Sequence, residues 1–305
     1  MTHQFILMLE DEILIKKYGQ ANMNNQSIIS DGREKDTYFV TPNDIINTLP
    51  TDKNYCLFLD IDGTLAPFQI HPEHSFIPNT TLEVIKKIIE LNIPVIAVTG
   101  RDVETAGKLL QSIELPIAGL HGLDIYFDSD TYIRPDLSDI NFQKLKEDII
   151  NSCEKYPDLL IEDKGHSIAL HYRKNPELEN NAIYIMQQIK YFYPQLKLNR
   201  GKFVVELLPK QADKGKAIQT ILNHLNLPLT HPIFIGDDLT DESGFIFINQ
   251  QFGTSIKVGS GETEAQYRLK DINSVSNFLF FFLEKIKKLY VKNSQDQNGE
   301  QICLN

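Results

Sequence analysis

Cysteine is scarce in this 305-residue chain. Cys56, Cys153 and Cys303 are odd in number, far apart and in no metal-ligand spacing. That argues against a disulfide framework and suits a reducing cytosol, so a cytoplasmic location is expected. Long apolar runs are also missing. The most apolar late stretch, Phe278 to Leu283, is followed at once by Glu284, Lys285, Lys287 and Lys288. It falls far short of the roughly 20 apolar residues of a membrane-spanning helix, so no membrane partner is expected and the stretch reads as a terminal core helix. The first residues hold acidic groups inside a short apolar patch, with no basic leader and no small-residue cleavage site, so they are not read as a signal peptide.

Positive charge is the other shortage. Lysine plus arginine number 30 against 41 aspartates and glutamates, a net charge of −11. Such a surface repels a phosphate backbone, which argues against nucleic acid as a partner. A small anionic substrate then needs local cations or a metal. The remaining composition, 42% apolar and 23% charged, is ordinary for a globular protein and excludes general disorder or a collagen-like repeat. The length allows one large or two modest domains, with enough buried surface to fold without disulfides.

Hydrophobic periodicity divides the chain. Residues 1 to about 50 are rich in Asn, Gln, Ser and Asp and lose periodicity after Tyr18, so they read as a poorly ordered or loosely docked extension, with Met23 an alternative start. The run 55–62, YCLFLDID, reads as a buried parallel strand ending in acids. A helix over 81–91 capped by Asn79 or Thr80, a strand at 94–100, a helix at 102–113 and a short strand at 117–122 follow. Strand and helix in alternation predict an α/β fold with a doubly wound parallel sheet. After His121 the rhythm changes to helix–strand–strand, twice: helix 138–156 with strands 159–165 and 167–173, then helix 176–193 with strands 196–202 and 203–209. The first rhythm resumes with a helix at 213–225, a buried strand at 231–238, a helix or turn at 242–250 and a strand at 256–259. The expected division is therefore an extension at 1–50, a catalytic core of 51–123 and 210–292, an inserted α+β cap at 124–209, and a flexible tail at 293–305.

Acidic residues gather at predicted strand ends, where ligands of open parallel sheets bind. In Asp60-Ile61-Asp62-Gly63-Thr64, alternation lets both carboxylates share a side, and Gly63 lets the backbone turn away. One carboxylate can attack phosphorus, and the second can protonate the leaving oxygen and then deprotonate water. Two anions beside a phosphate require a hard cation, for which carboxylate and phosphate oxygens suit Mg2+. Val98-Thr99-Gly100-Arg101 puts a hydroxyl at the next strand end. Asp213-Lys214-Gly215-Lys216 opens a helix with lysines able to neutralise charge. Gly236-Asp237-Asp238-Leu239-Thr240-Asp241-Glu242 follows another apolar strand. Helix capping accounts for one or two of those acids, but not for adjacent Asp237 and Asp238.

These four motifs, in this order, resemble the haloacid dehalogenase superfamily of phosphohydrolases. The resemblance implies that Asp60 is the nucleophile, Asp62 the general acid/base, and Thr99 and Lys214 the holders of the phosphoryl oxygens. It implies that Asp237, Asp60 and the main-chain carbonyl of Asp62 ligate Mg2+, with Asp238 and Asp241 orienting the loop behind them.

The cap sequence bears on the substrate. In SIALHYR, Ile168, Leu170 and Tyr172 alternate with Ser167, Ala169, His171 and Arg173, while Glu162 and Lys164 share one face of the preceding strand and Glu206 interrupts FVVELL. Charged groups on one side of a lid suit a polyhydroxylated ligand; a solvated edge with surface ion pairs has the same parity. The stretches GLHG (119–122), EDKGHSIALHYR (162–173) and GKFVVELLP (201–209) further resemble the trehalose-6-phosphate phosphatase family, with Asp124 standing where that family has Glu. By that resemblance Glu162, Lys164, Arg173 and Glu206 meet the glucose unit remote from the phosphate, and Gly100, Arg101, His121 and Gly122 line the core side. The implied activity is hydrolysis of a small-molecule sugar phosphate by a monomer. Other sugar phosphatases of the superfamily, acting on sucrose phosphate or a mannosyl compound, remain alternatives. A phosphomutase and an idle sugar-phosphate-binding regulator are further ones.

Overall fold

A computed structural model describes residues 38–69, 74–111, 113–201, 203–227 and 229–300, with side chains as far as Val291. The expectations for residues 1–37, including the alternative start at Met23, and for residues 301–305 lie outside the described residues. The first described element was not expected. Pro42–Thr48 forms helix α1, with proline in its first turn and a Thr41–Asp44 capping box at its start. Ile45, Ile46 and Leu49 are buried beneath it. Residues 41–49 are therefore part of the core rather than of a loose extension.

Strand β1 (Asn54–Leu59) is followed by helix α2 (Asn79–Glu90), β2 (Val95–Val98), α3 (Val103–Leu109) and β3 (Ile117–Gly119). Asp102 caps α3 through the Thr105 amide. Asn79 and Thr80, expected as caps of α2, lie inside it, because Pro78 starts the helix and no side chain caps it. Strands β4 (Asp124–Asp128) and β5 (Thr131–Ile133) come next. A second block contains α4 (Phe142–Cys153), β6 (Leu160–Asp163), β7 (Ile168–His171), α5 (Glu179–Phe192), β8 (Leu196–Gly201) and β9 (Val204–Pro209). The chain then forms α6 (Lys214–His224), β10 (Thr230–Gly236), α7 (Glu242–Gln250), β11 (Thr254–Val258), β12 (Tyr267–Leu269) and α8 (Ile272–Glu300). The backbone of α8 runs past the expected boundary at 292.

The larger sheet has the order β12-β11-β10-β1-β2-β3-β4-β5. Its pairings are parallel from β12 to β3 and antiparallel over β4 and β5. Residues 124–133, expected in the cap, thus extend the core sheet. They pair with the backbone groups that β3 would otherwise leave at an open edge. Alternation along β1 explains the double winding. Tyr55, Leu57 and Leu59 point into one apolar layer with α1, α2 and α8, while Cys56 and Phe58 point into the other with α6 and α7. Burying each such large apolar side chain contributes about 1.5–3 kcal/mol.

The smaller antiparallel sheet, β6-β7-β9-β8, packs one face against two helices. Ile168, Leu170, Val205 and Leu207 pack there against Leu145, Ile149, Ile185 and Met186 of α4 and α5. The opposite face is left for polar groups. No helix among the described residues is long and apolar enough to cross a membrane.

Candidate active site

The chain runs β1, β2, β3 to one side and returns to the other side of β1 with β10. The carboxyl ends of β1 and β10 therefore flank the switch point of the sheet, where a crevice opens. Asp60 follows β1, Asp237 follows β10 and Thr99 follows β2, so three of the expected residues stand on three adjacent strands. Lys214 opens α6 and is buried. Its Nζ donates to Asp60 Oδ1 at 2.8 Å and to Asp241 Oδ1 at 2.5 Å. The other Asp241 oxygen accepts the amides of Asp237 and Asp238, each at 2.9 Å. One oxygen of Asp241 is thereby taken by Lys214 and the other by the loop, and Asp238 starts the short 3-10 turn Leu239–Asp241 in a capping box with it.

Among the described residues, ligand atoms of Asp60, Asp237 and Asp241 lie within 4.8 Å of one another. Asp237 Oδ1 is buried with no hydrogen-bond partner. Burial, partly offset by Lys214, pushes Asp60 up to about 7. Burial and then the charge of Asp60 push Asp237 up to about 9. Carboxylates crowded this closely, with one oxygen unpartnered, fit a divalent cation. Gly63 belongs to the same geometry: its φ is +85°, and a β-carbon there would run into the Asp237 carboxylate. Lys257, buried on β11, donates to the Asp237 carbonyl.

The Asp62 carboxylate is paired with Arg101, at 2.6 Å to Nε and 2.7 Å to Nη2, and accepts from Ser75 Oγ at 3.2 Å. Thr99 is buried and its Oγ1 accepts the Arg101 amide at 3.2 Å. The following Gly100 leaves room for the His121 ring, which a β-carbon would strike. His121 stands in a 3-10 turn, Leu120–Gly122, with φ of 57°. Gly122 packs against the start of α6, close to Asp213 and Ala217.

The face of the cap sheet away from its helices carries the second group. Glu206 on β9 accepts from Ser167 Oγ at 2.6 Å and Lys164 Nζ at 3.2 Å through one oxygen, and pairs with His121 Nε2 at 3.2 Å through the other. Burial by itself raises this carboxyl, but Lys164, His121 and Ser167 outweigh it and hold Glu206 well below the ordinary carboxylate range. Glu162 pairs with His171 Nε2 at 2.7 Å. Arg173 Nη1 donates to the Gln69 carbonyl of the core at 2.5 Å. The structure thus separates the predicted residues into a carboxylate–lysine centre on the core and a charged face on the cap, joined by His121–Glu206. Asp124 lies apart from both, bound by Arg134 through two hydrogen bonds of 2.7 and 2.8 Å. Sequence reasoning missed Ser75 and Lys257 altogether, since neither lies in a motif. Ser167 and His171 carried a signal in their parity with the cap's charged groups.

The family model described as trehalose-phosphatase matches residues 58–273. A trehalose-6-phosphate phosphatase of Escherichia coli is 32% identical over 244 residues, 79% of this chain and 91% of that protein. The crystal structure of a trehalose-6-phosphate phosphatase related protein, 26% identical, superimposes with a TM-score of 0.64 over 75% of this chain and 97% of its own. A haloacid dehalogenase-like hydrolase from Bacteroides thetaiotaomicron, only 14% identical, shares the fold, with a TM-score of 0.57 over 75% of this chain and 99% of its own.

Proposed function

The chain belongs to the trehalose-phosphatase family, and from that premise we propose how its crevice carries out the reaction. The enzyme hydrolyses trehalose 6-phosphate to trehalose and inorganic phosphate. The observation that carries the assignment of groups is the buried Asp60–Lys214–Asp241 chain beside the unpartnered Asp237 oxygen. Asp60 is the nucleophile. Its free carboxylate oxygen attacks the phosphorus while the bond to the sugar's O6 breaks, giving an aspartyl-phosphate. Asp62 exchanges Arg101 for the leaving oxygen and passes to it the proton taken from water in the preceding turnover. It then removes a proton from water, whose attack on phosphorus releases phosphate and restores Asp60. Thr99 Oγ1 and Lys214 Nζ hold the phosphoryl oxygens, and Lys214 favours the ionised form of Asp60 against its burial. Asp60, Asp237 and the Asp62 carbonyl would hold Mg2+, which when bound would offset the negative charge shared by carboxylates and phosphate. Asp238 and Asp241 orient the loop.

The cap residues Glu162, Lys164, Arg173 and Glu206 bind the sugar remote from the phosphate, with Gly100, Arg101, His121 and Gly122 on the core side. Support for this half comes from the shared face of Glu162, Lys164 and Glu206, which meets the core at His121. A cytoplasmic location is supported by free, buried Cys56 and Cys153. The monomeric state expected from sequence is open to light scattering.

Phosphate release from trehalose 6-phosphate, sucrose 6-phosphate, a mannosyl phosphate and p-nitrophenyl phosphate, with Mg2+ or a chelator, tests the reading. Trehalose 6-phosphate is expected to be preferred by at least roughly 100-fold in kcat/KM, and chelation to stop turnover. Asp60→Asn is expected to fold normally and release no phosphate. Equal rates across the sugars would overturn the cap assignment, and turnover by Asp60→Asn would overturn the nucleophile.

A further inference from the structure

Register places the two cap glutamates in one row. Ala169, on the central strand β7, pairs with Glu162 on β6 and with Glu206 on β9, and Glu206 pairs in turn with Asn199 on β8. Side chains two apart on a strand share a face, so Ser167 and His171 flank Ala169 on the face that carries both carboxylates. Each reaches a different neighbour. Ser167 Oγ donates to Glu206 Oε1 at 2.6 Å. His171 Nε2 lies 2.7 Å from Glu162 Oε2, and it is the donor, because an ionised carboxylate only accepts.

Ser167 and His171 each commit a donor to a glutamate. Ser167 is 1% exposed, and the His171 side chain is 18% exposed against 36% for its Glu162 partner. What they do is remove freedom. A glutamate bound at one oxygen by a fixed donor presents its remaining lone pairs in one direction, and a ligand recognised through many oriented hydroxyls depends on that direction. Lys164 and His121 also hold Glu206, but Lys164 bonds the same oxygen as Ser167 over a longer distance and His121 comes from the core. Ser167 is therefore the short bond from within the cap itself.

We propose that Ser167 and His171 are positioning residues: from one strand they fix Glu206 on one side and Glu162 on the other in the orientation that sugar hydroxyls meet, and so set discrimination between a disaccharide phosphate and a small phosphomonoester. The proposal rests on the cap reading above. It extends that reading to two residues that act through others.

The test uses the full-length enzyme with Mg2+ and compares kcat/KM for trehalose 6-phosphate and p-nitrophenyl phosphate. Ser167→Ala and His171→Ala are each expected to lower the ratio of the two about tenfold, mainly through KM for the sugar phosphate, as expected for loss of a hydrogen bond to a charged group. Ser167→Thr, which keeps the hydroxyl, is expected to restore most of the ratio. In a Glu206→Ala background Ser167→Ala is expected to change the ratio no further, and likewise His171→Ala in Glu162→Ala. Equal losses on both substrates, or full additivity with the glutamate changes, would overturn the proposal. If Ser167→Ala does not fold, the His171 cycle decides alone. A wild-type enzyme inactive on trehalose 6-phosphate would overturn the cap reading itself, which is visible before any variant is made.

Discussion

Asp60 and Asp237 are neighbours in space that no single carboxylate environment explains. Burial raises both, to about 7 and about 9 from an ordinary 3.8, and Lys214 offsets only part of it. In cation-free protein the folded state therefore binds protons that the unfolded chain has already released near 3.8. Stability then falls as pH rises from about 4 through the folded values. A divalent cation reverses the sign, since it binds the deprotonated carboxylates. Chelated protein is expected to melt at a lower temperature at pH 8 than at pH 5.5, and Mg2+ to raise the melting temperature more at pH 8. Scanning fluorimetry in both buffers checks this, and no cation effect at pH 8 would remove Asp237 from the metal site. Asp241 shows how far sequence reading reached at this scale. Its place in an acidic run and its reach to the loop amides are local, but its bond to Lys214 depends on where α6 packs.

Among the elements, α1 and β4–β5 were misread for the same physical reason. Both are short, and short segments carry too few residues to show a period. α1 has only two buried side chains, Ile45 and Ile46, between polar neighbours, and its docking is completed by α8, whose Lys285 donates to the Ile46 and Leu49 carbonyls at 2.8 and 2.7 Å. A lysine at the end of a helix satisfies carbonyls that have no partner within it. Ile45→Ala is expected to destabilise the enzyme by about 2–4 kcal/mol through the cavity it leaves, read as a shift of the urea midpoint at unchanged slope. A shift of a few tenths of a kcal/mol would instead mean that α1 is a loosely held appendage. Helices α2 and α5 were legible because burial on one face repeats over three or more turns, and β1 and β10 because they are unbroken apolar runs buried on both faces.

At the scale of the whole described unit, polar bonds and buried leucines both link the cap to the core, since Leu120 and Leu123 join the cap's apolar cluster. His121–Glu206 and Arg173–Gln69 bridge the cap and the core sheet. On the reading proposed above, closure of the cap over a ligand would exclude water from the phosphoryl group. His121→Ala is expected to speed hydrogen exchange at Lys164 and His166, whose amides bond within the β6–β7 turn, while amides of β1 keep their protection. Unchanged exchange in that turn would show that the cap stays closed without the His121 contact. With a net charge of −11, an anionic substrate bound as proposed above would rely on local cations, Lys214 first among them, against the sign of the molecule as a whole.

The amino-acid sequence by itself determined the alternation of buried strands and helices, the acids at strand ends and the parity of the cap, because each is a property of neighbouring residues and their period. Tertiary structure alone decided which carboxylates share a crevice, that Asp62 is held by Arg101, that β4 and β5 complete the core sheet, and that one strand reaches a glutamate on each side. Those facts depend on register between segments as far apart as Lys214 and Asp60, and a pairing is chosen by how whole layers pack rather than by the residues at either end.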